Sequence, residues 1–338
     1  MRKCLLPTLI IITVIVVIAG CKKASKSTDK YFQGTFSINI PSYLLVSQTL
    51  DISLNINFTE PLSDISYEFS MPDFSIEAVT NSDGIITGIV TPSTWGEYTV
   101  SVLATHPVYK SLSSAKQVNV IDLSSQKSYS GYTNGENFII DSRDNVQYYY
   151  TNIGNLDWFT SNLRWKGAGQ SVDSVDVFDY IYGRLYTWEE ATVVGVCPSG
   201  WSVPTNNDWE DFATALAGTP HTFDGVWTEL GDRASAEVIV NNERLWYIYS
   251  PDNRHNNTHK WNGVPAGSFS RITTDPGNAT DIYYFLNSGR SGLWWSATES
   301  SSDMAYYRHI DDQNADFPSE IGSKKYLGAS VRCVRIHP

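Results

Sequence analysis

Every second residue from Leu50 to Phe58 is apolar, a pattern that suits a strand with one wet face and one buried face. Leu50-Asp-Ile-Ser-Leu-Asn-Ile-Asn-Phe58 is joined by Phe36-Ser-Ile-Asn-Ile40 and Tyr98-Thr-Val-Ser-Val102, which share its period of two. Between them, Asn81-Ser-Asp-Gly84 and Pro92-Ser-Thr94 supply residues that favour turns. Strands spaced by turns over residues 32–122 predict an all-β sandwich. No cluster of histidines, cysteines or paired acids accompanies the pattern, so this unit is expected to act as a spacer.

The first twenty residues are of another kind. Arg2 and Lys3 precede an apolar run from Leu5 to Ala19. That run is shorter than the roughly 20 residues a membrane-spanning helix needs. A basic start, a short apolar stretch and small residues at its end have the form of a signal peptide over 1–20. The closing Ile18-Ala19-Gly20-Cys21 resembles the bacterial lipobox. That resemblance implies cleavage before Cys21 and a diacylglyceryl group on its thiol, giving an outer membrane lipoprotein attached through lipid. The alternative is an ordinary signal peptide with an incidental cysteine. Residues 21–31 are rich in Ser and Lys and read as a flexible tether. Lys22-Lys23-Ala24-Ser25 is no clear export signal, so cell-surface and periplasm-facing orientations both stay open.

Without Arg2 and Lys3 the chain carries 22 basic and 36 acidic residues, a net charge of −14. Such a chain lacks the positive charge that nucleic acid or an anionic membrane requires of a partner. Cys197 and Cys333 are the cysteines left after Cys21. In an oxidising compartment they form one disulfide or stay as two buried thiols. They are too few for a thiolate zinc site.

Residues 123–137, rich in Ser, Gly and Tyr, read as a linker to a second unit over 138–338. Ten of the eleven tryptophans lie beyond residue 150, so the core there should be aromatic. Thr187-Trp-Glu-Glu190 has the form of a capping box opening a helix over 191–193. Thr205 to Asp208 opens another, in which Trp209, Phe212, Ala213 and Leu216 fall on one face and Gly218 closes the end. Short strands and polar loops complete an α+β unit.

Tyr182-Gly-Arg-Leu-Tyr-Thr-Trp188, Val196-Cys-Pro-Ser-Gly-Trp-Ser-Val-Pro204 and Trp209-Glu210 resemble the Fibrobacter succinogenes major paralogous domain. Leu293-Trp-Trp-Ser-Ala-Thr-Glu299, Ala305-Tyr-Tyr-Arg308 and Ser330-Val-Arg-Cys-Val-Arg335 continue the likeness in order. The resemblance implies a C-type-lectin-like fold whose first and last strands adjoin, which would bring Cys197, near the first strand, close to Cys333. In the sandwich, Trp95-Gly-Glu-Tyr-Thr-Val resembles a strand of immunoglobulin-like bacterial surface domains. The fold class expected is thus an immunoglobulin-like sandwich followed by an α+β C-type-lectin-like domain.

Most motif residues read as structural. Trp201 belongs in a core, and Arg332 and Arg335 are expected to pin loops through carboxylates. Of the adjacent Trp294 and Trp295, a strand should bury one and expose the other. The exposed one, taken as Trp295, would be either a stacking platform or a rim-packing residue.

Catalytic sets are not evident. Glu189-Glu190 and Asp311-Asp312 read as solvated acids, and His255 with His259 sits in an Asn-rich stretch unsuited to a metal. Formylglycine-generating enzymes, which share the fold, use a cysteine pair that a disulfide would consume. The calcium motifs of lectins are missing, although loop acids such as Asp303 or Asp316 leave a calcium site open. The chain is therefore expected to be a non-enzyme that needs no cofactor.

The remaining candidate is the stretch from Ser300 to Leu327. Ser301, Ser302, Asp303, Met304, Tyr307, His309, Asp311, Asp312, Asn314, Asp316, Phe317, Pro318 and Ser319 alternate with fold-like Ala305, Tyr306, Ile310 and Ala315. Small polar groups mixed with aromatics are the chemistry of an adaptable binding surface. The layout also resembles the variable region of diversity-generating-retroelement proteins of Bacteroidetes. An ordinary hydrophilic loop fits equally well. The function expected is adhesion or capture of a protein or glycan ligand by a membrane-anchored lipoprotein. A structural part in an envelope or pilus-like assembly is the alternative, followed by an enzyme on the formylglycine-generating-enzyme-like fold.

Overall fold

The computed structural model describes residues 30–59, 64–74, 76–80, 86–217, 222–223, 226–247, 254–274 and 281–338. Cys21, its signal segment and Gly218 lie outside them.

The alternating strings become the two faces of a sandwich. One sheet runs Gly34–Asn39, Leu50–Phe58, Ile86–Val90, Glu77–Thr80; the other runs Tyr43–Leu45, Leu112–Ile121, Gly96–Thr105, Ser66–Ser70. Ile38 and Ile52 from the first meet Leu44, Val100, Val102, Val118 and Val120 from the second in an aliphatic core. Each residue between these points outward because successive side chains alternate across a strand.

The second unit is layered differently. Asn137–Ile140, Gln147–Ile153 and Leu156–Phe159 form a meander completed by the closing strand Val334–Ile336, with Leu156 opposite Ile336. A larger sheet has Arg184–Thr187, Leu327–Ser330, Ser291–Glu299, Met304–Asp311 and Ser319–Ser323 side by side. Helix α1 (Asn206–Ala217) packs on one face. Its entry is capped reciprocally, Thr205 N donating to Asp208 Oδ2 (2.7 Å) and Asp208 N to Thr205 Oγ1 (3.3 Å). Trp209, Phe212, Ala213 and Leu216 are buried, as their spacing requires. The other box, Thr187 with Glu190, opens a π-helical turn over Glu190–Gly195 in place of a regular helix.

The strand Ser291–Glu299 is covered on both faces, so Trp294 and Trp295 are each fully buried. Trp294 joins the core under α1, and Trp295 joins the opposite core around Tyr186 and Trp201. The expected exposure of Trp295 does not occur, because the strand is central to three layers and has no wet face.

Between the units lies a third apolar cluster. Tyr43, Leu45, Ile121 and Leu123 pack on Val172, Val177, Phe178, Val238 and Val240. Residues 123–137 run along the second unit: Tyr129–Ser130 pairs with Ile239–Val240, and Tyr132 Oη donates to the Ile181 carbonyl.

Candidate functional site

The polar stretch from Ser300 onward is divided by two strands, Met304–Asp311 and Ser319–Ser323. An eight-residue strand is about 26 Å long. Ser301, Ser302 and Asp303 are therefore exposed at one of its ends, and Asn314 and Asp316 lie beyond the other. The two acids named for calcium, Asp303 and Asp316, cannot share an ion. Among the described residues no group of three metal-ligating side chains occurs.

Along the strand, Met304, Tyr307, His309 and Asp311 are half-buried. Tyr307 Oη donates to Glu320 Oε2 (2.8 Å), and His309 Nε2 lies 3.2 Å from Asp311 Oδ2. Burial and the adjacent Glu320 carboxylate hold the Tyr307 hydroxyl well above its ordinary range, so it stays protonated as a donor. Ser319 is half-buried opposite Arg308.

Two candidates are removed from any ligand. Phe317 is fully buried against Trp209 and Phe212, and its amide donates to the Trp227 carbonyl. Asp312 is buried, its amide bound to the Arg290 carbonyl. A short, sequence-polar stretch can still carry a core residue where it crosses beneath a helix.

Asn314 and Asp316 do line a concavity. With Glu229, Asp232, Arg233, Arg254, Asn256 and Thr258 they bound a polar cleft of about 670 Å³. Its floor is helix α2 (Leu230–Ala234), anchored by Leu230 and Ala234 in the α1 core. Gly231 N donates to the Ala315 carbonyl (2.7 Å), and a Cβ there would sit 2.9 Å from the Asp316 carbonyl oxygen. Glycine thus lets the helix approach the 315–316 backbone closely.

Asp232 organises the opposite wall. Its carboxylate accepts from Arg254 N and Asn256 Nδ2, both at 2.5 Å, while its carbonyl accepts from Asn256 N. Thr258 N donates to the Arg233 carbonyl, and Arg233 Nη1 donates to the Leu216 carbonyl (2.7 Å). On the third side, Asp316 N donates to Asn314 Oδ1 (2.9 Å). The rim therefore presents two guanidinium groups, three carboxylates and two amides from three separate chain segments.

His255 lies behind this wall, buried and stacked on Trp246 at 4.8 Å. Its Nδ1 is 2.8 Å from Ser235 Oγ, and burial pulls its pKa down to about 4. His259 Nδ1 instead faces Thr258 Oγ1 (3.0 Å). The two rings have separate local partners.

The sulfurs of Cys197 and Cys333 are bonded across 136 residues of sequence. Cys197 follows the π-turn and packs against the same core as Ile139 of the first strand, and the pairing of Ser202 with Val334 draws it to Cys333. Arg335 does pin a carboxylate, donating from Nε to Asp157 Oδ2 at 3.0 Å. Arg332, expected to pin a carboxylate, instead donates to Asn162 Oδ1 and to the carbonyls of Phe159, Trp261 and Asn262.

Residues 151–335, over half of the chain, match the family described as the Fibrobacter succinogenes major domain. The chain belongs to that family. The cleft and the disulfide both lie within the matched Fibrobacter domain, whereas the sandwich precedes it. No curated protein matches the chain. Among solved structures, the Lin-41 filamin domain is 17% identical over 25% of this chain and 90% of its own, with a TM-score of 0.20. An ICAM-5 D1–D4 ectodomain fragment is 11% identical over 41% and 34%, with a TM-score of 0.21. The adhesin InvE of Yersinia pseudotuberculosis is 8% identical over 89% and 96%, with a TM-score of 0.23. Scores this low carry no structural argument.

The cleft residues from Glu229 to Thr258 were not foreseen in the sequence. The one local signal was the Asn-rich run Asn253, Asn256, Asn257, which marked a polar loop without linking it to Asn314.

Proposed function

We propose that this is an exported, lipid-anchored binding protein whose Fibrobacter domain takes a polar ligand in the cleft between α2 and Asp316. The observation that carries this is the convergence of charged and amide groups on one concave site. A rim that both donates and accepts suits the hydroxyls of a glycan or the backbone of an exposed protein segment. The lipobox-like Ile18-Ala19-Gly20-Cys21 and the signal-like start support export, with the sandwich as the spacer. The closing strand Val334–Ile336 returns to the sheet that holds the unit's first strand, Asn137–Ile140, although it pairs with Leu156–Phe159; that return supports a C-type-lectin-like fold for the second unit. The domain is read as a non-enzyme without a cofactor.

The test is a glycan and protein array probed with the mature chain, residues 21–338. An Arg254→Ala/Asp316→Ala double variant should weaken capture by about tenfold or more, since each removes charge-assisted hydrogen bonds. Its melting temperature should be unchanged. Equal capture by the variant would remove the cleft from consideration. Retroelement diversification, if it operates, should fall on exposed Ser301, Ser302, Asp303 and Asn314 and spare Trp295, Asp312 and Phe317. A near-identical DNA repeat with adenines at those codons is the check.

A second reading, a structural part in an envelope or pilus-like assembly, draws on one observation. The strand Asp281–Leu286 pairs with Ser268–Thr273 alone among described strands and exposes Ile282, Tyr284 and Leu286 beside Ile272. Such an edge accepts a neighbour's strand. Crosslinking in intact cells separates the readings: a fixed envelope partner favours assembly, a soluble or host-derived one favours capture.

A further inference from the structure

We infer that the end of the sandwich bearing Tyr31, Phe32, Val108 and Lys110 is a docking face for the headgroup region of a lipid bilayer. This rests on the reading of Cys21 as the lipid-bearing residue.

The sandwich has two dissimilar poles. At one, Ile121 and Tyr43 enter the cluster shared with the Fibrobacter domain. At the other, the start of Gly34–Asn39 lies beside the end of Leu50–Phe58, near the 106–111 turn that joins the two longest strands. Lys30 bridges to Tyr109 there, its carbonyl accepting from Lys110 N (2.9 Å). The described chain thus begins at the pole opposite the Fibrobacter domain, nine residues after Cys21. Nine residues reach at most about 30 Å, so a lipid on Cys21 keeps this pole near the membrane.

The pole is built for that setting. Phe32 stacks on Phe58 (4.9 Å) and Tyr109 (5.1 Å), and His106 meets it edge-on. His106 Nδ1 accepts from Val108 N (3.0 Å), which fixes the turn and leaves Val108 55% exposed. Tyr31 is 57% exposed, with Lys110 Nζ 5.3 Å from its ring centre. Tyrosine rings and lysines with long apolar stems are the side chains that settle at the membrane interface. Charge follows the same division. Lys30 and Lys110 lie at this pole, within a chain of net charge −12. Asp64 is an acid near the same pole. The whole-chain charge therefore does not represent this end.

The test couples the Cys21 thiol of the mature chain to a maleimide lipid in phosphatidylethanolamine–phosphatidylglycerol vesicles. Cys197 and Cys333 are already bonded to each other and do not compete. Amide hydrogen exchange at 30–33 and 106–111 should slow by about fivefold or more relative to the thiol-capped chain in solution, the factor one lysine near an anionic surface contributes. Exchange around the cleft should not change. A Tyr31→Ser/Val108→Ser variant should lose the protection and keep its melting temperature. Equal exchange on and off the vesicle, or protection that survives in the variant, overturns the proposal. Natural lipidation is measured separately, by the mass of the Cys21 peptide from native membranes. An unmodified Cys21 there would remove the anchor reading, while the vesicle result would still decide the docking face.

Discussion

The two units solve the same problem, burying apolar surface, with different chemistry. The sandwich core is aliphatic, made of Ile, Val and Leu from facing strands. The Fibrobacter domain fully buries Trp158, Trp209, Trp227, Trp261, Trp294 and Trp295 together with Arg308 and Arg332. Aliphatic burial is non-directional and tolerates small shifts. Buried indoles usually also find acceptors, and although those of Trp158 and Trp261 do not, others here do. Trp294 Nε1 reaches Asn162 Oδ1 (2.8 Å), Trp295 Nε1 the Tyr186 carbonyl (2.7 Å), and Trp188 Nε1 the Ser296 carbonyl (2.9 Å). The second core is therefore fixed by direction as well as by contact. It can hold short strands and long connections in place, which the sandwich does not need to do.

The largest expected effect breaks that directional core. Arg332 is fully buried, and its guanidinium donates to Asn162 Oδ1 (2.6 Å) and to the carbonyls of Phe159 (3.0 Å), Asn262 (2.6 Å) and Trp261. Its face lies 4.3 Å from the Trp261 ring centre. Burial lowers its pKa to about 9, so it remains charged at neutral pH. Arg332→Leu would strand several buried acceptors at about 1–3 kcal/mol each, a loss near 5 kcal/mol. Urea unfolding followed by tryptophan fluorescence should shift accordingly. Amide exchange at Val100 and Val118, inside the sandwich, should hold its original rate. If both units weaken equally, the contrast between them is false.

The same contrast explains what could be read from sequence. Leu50 to Phe58 was legible because a half-buried strand writes its two faces into alternate residues, and those residues form the strand. Helix α1 was legible because its cap and its apolar face are both local. Arg332 was recognisable as a motif residue, but its acceptors stand 70 to 173 positions away and no spacing announces them. Trp294 and Trp295 misled because a strand covered on both sides carries no alternation. Phe317 misled because its neighbours Asp316 and Pro318 give a core residue the local context of a loop. The cleft was hidden for the same reason as the arginine network: its walls come from 229–233, 254–258 and 314–316, which meet only after folding.

A smaller effect distinguishes the units by acid sensitivity. Burial lowers His255 from its ordinary 6.5 to about 4, against an opposing pull from Asp232. The unfolded chain therefore binds a proton between those values that the folded chain refuses. Stability should be unaffected above pH 6.5 and fall by about 3 kcal/mol as the pH drops to 4. In His255→Gln, which keeps a hydrogen-bonding group near Ser235 Oγ, this part of the acid loss should disappear from the pH dependence of the fluorescence midpoint. An unchanged slope would move the acid response of this unit elsewhere. The sandwich has no buried histidine among its described residues, so its acid response should be flatter.

The smallest effect concerns whether two such different cores act together. Tyr43, from the sandwich, has its ring 4.6 Å from that of Phe178, from the Fibrobacter domain. Burial raises its hydroxyl pKa, helped by Glu243. Asn241 fastens the same junction, its Nδ2 donating to the Val120 carbonyl (3.1 Å) and its Oδ1 accepting from Ser128 Oγ (2.8 Å). Tyr43→Ser removes one aromatic contact and part of the shared apolar surface, about 1–2 kcal/mol. That loss falls on the coupling between the cores and leaves each core itself intact. Calorimetry should therefore show the unfolding of the two units drawing apart in temperature, with the polar cleft unaffected. A single transition, shifted as a whole, would mean that the 123–137 segment paired on Ile239–Val240 couples them without help from Tyr43.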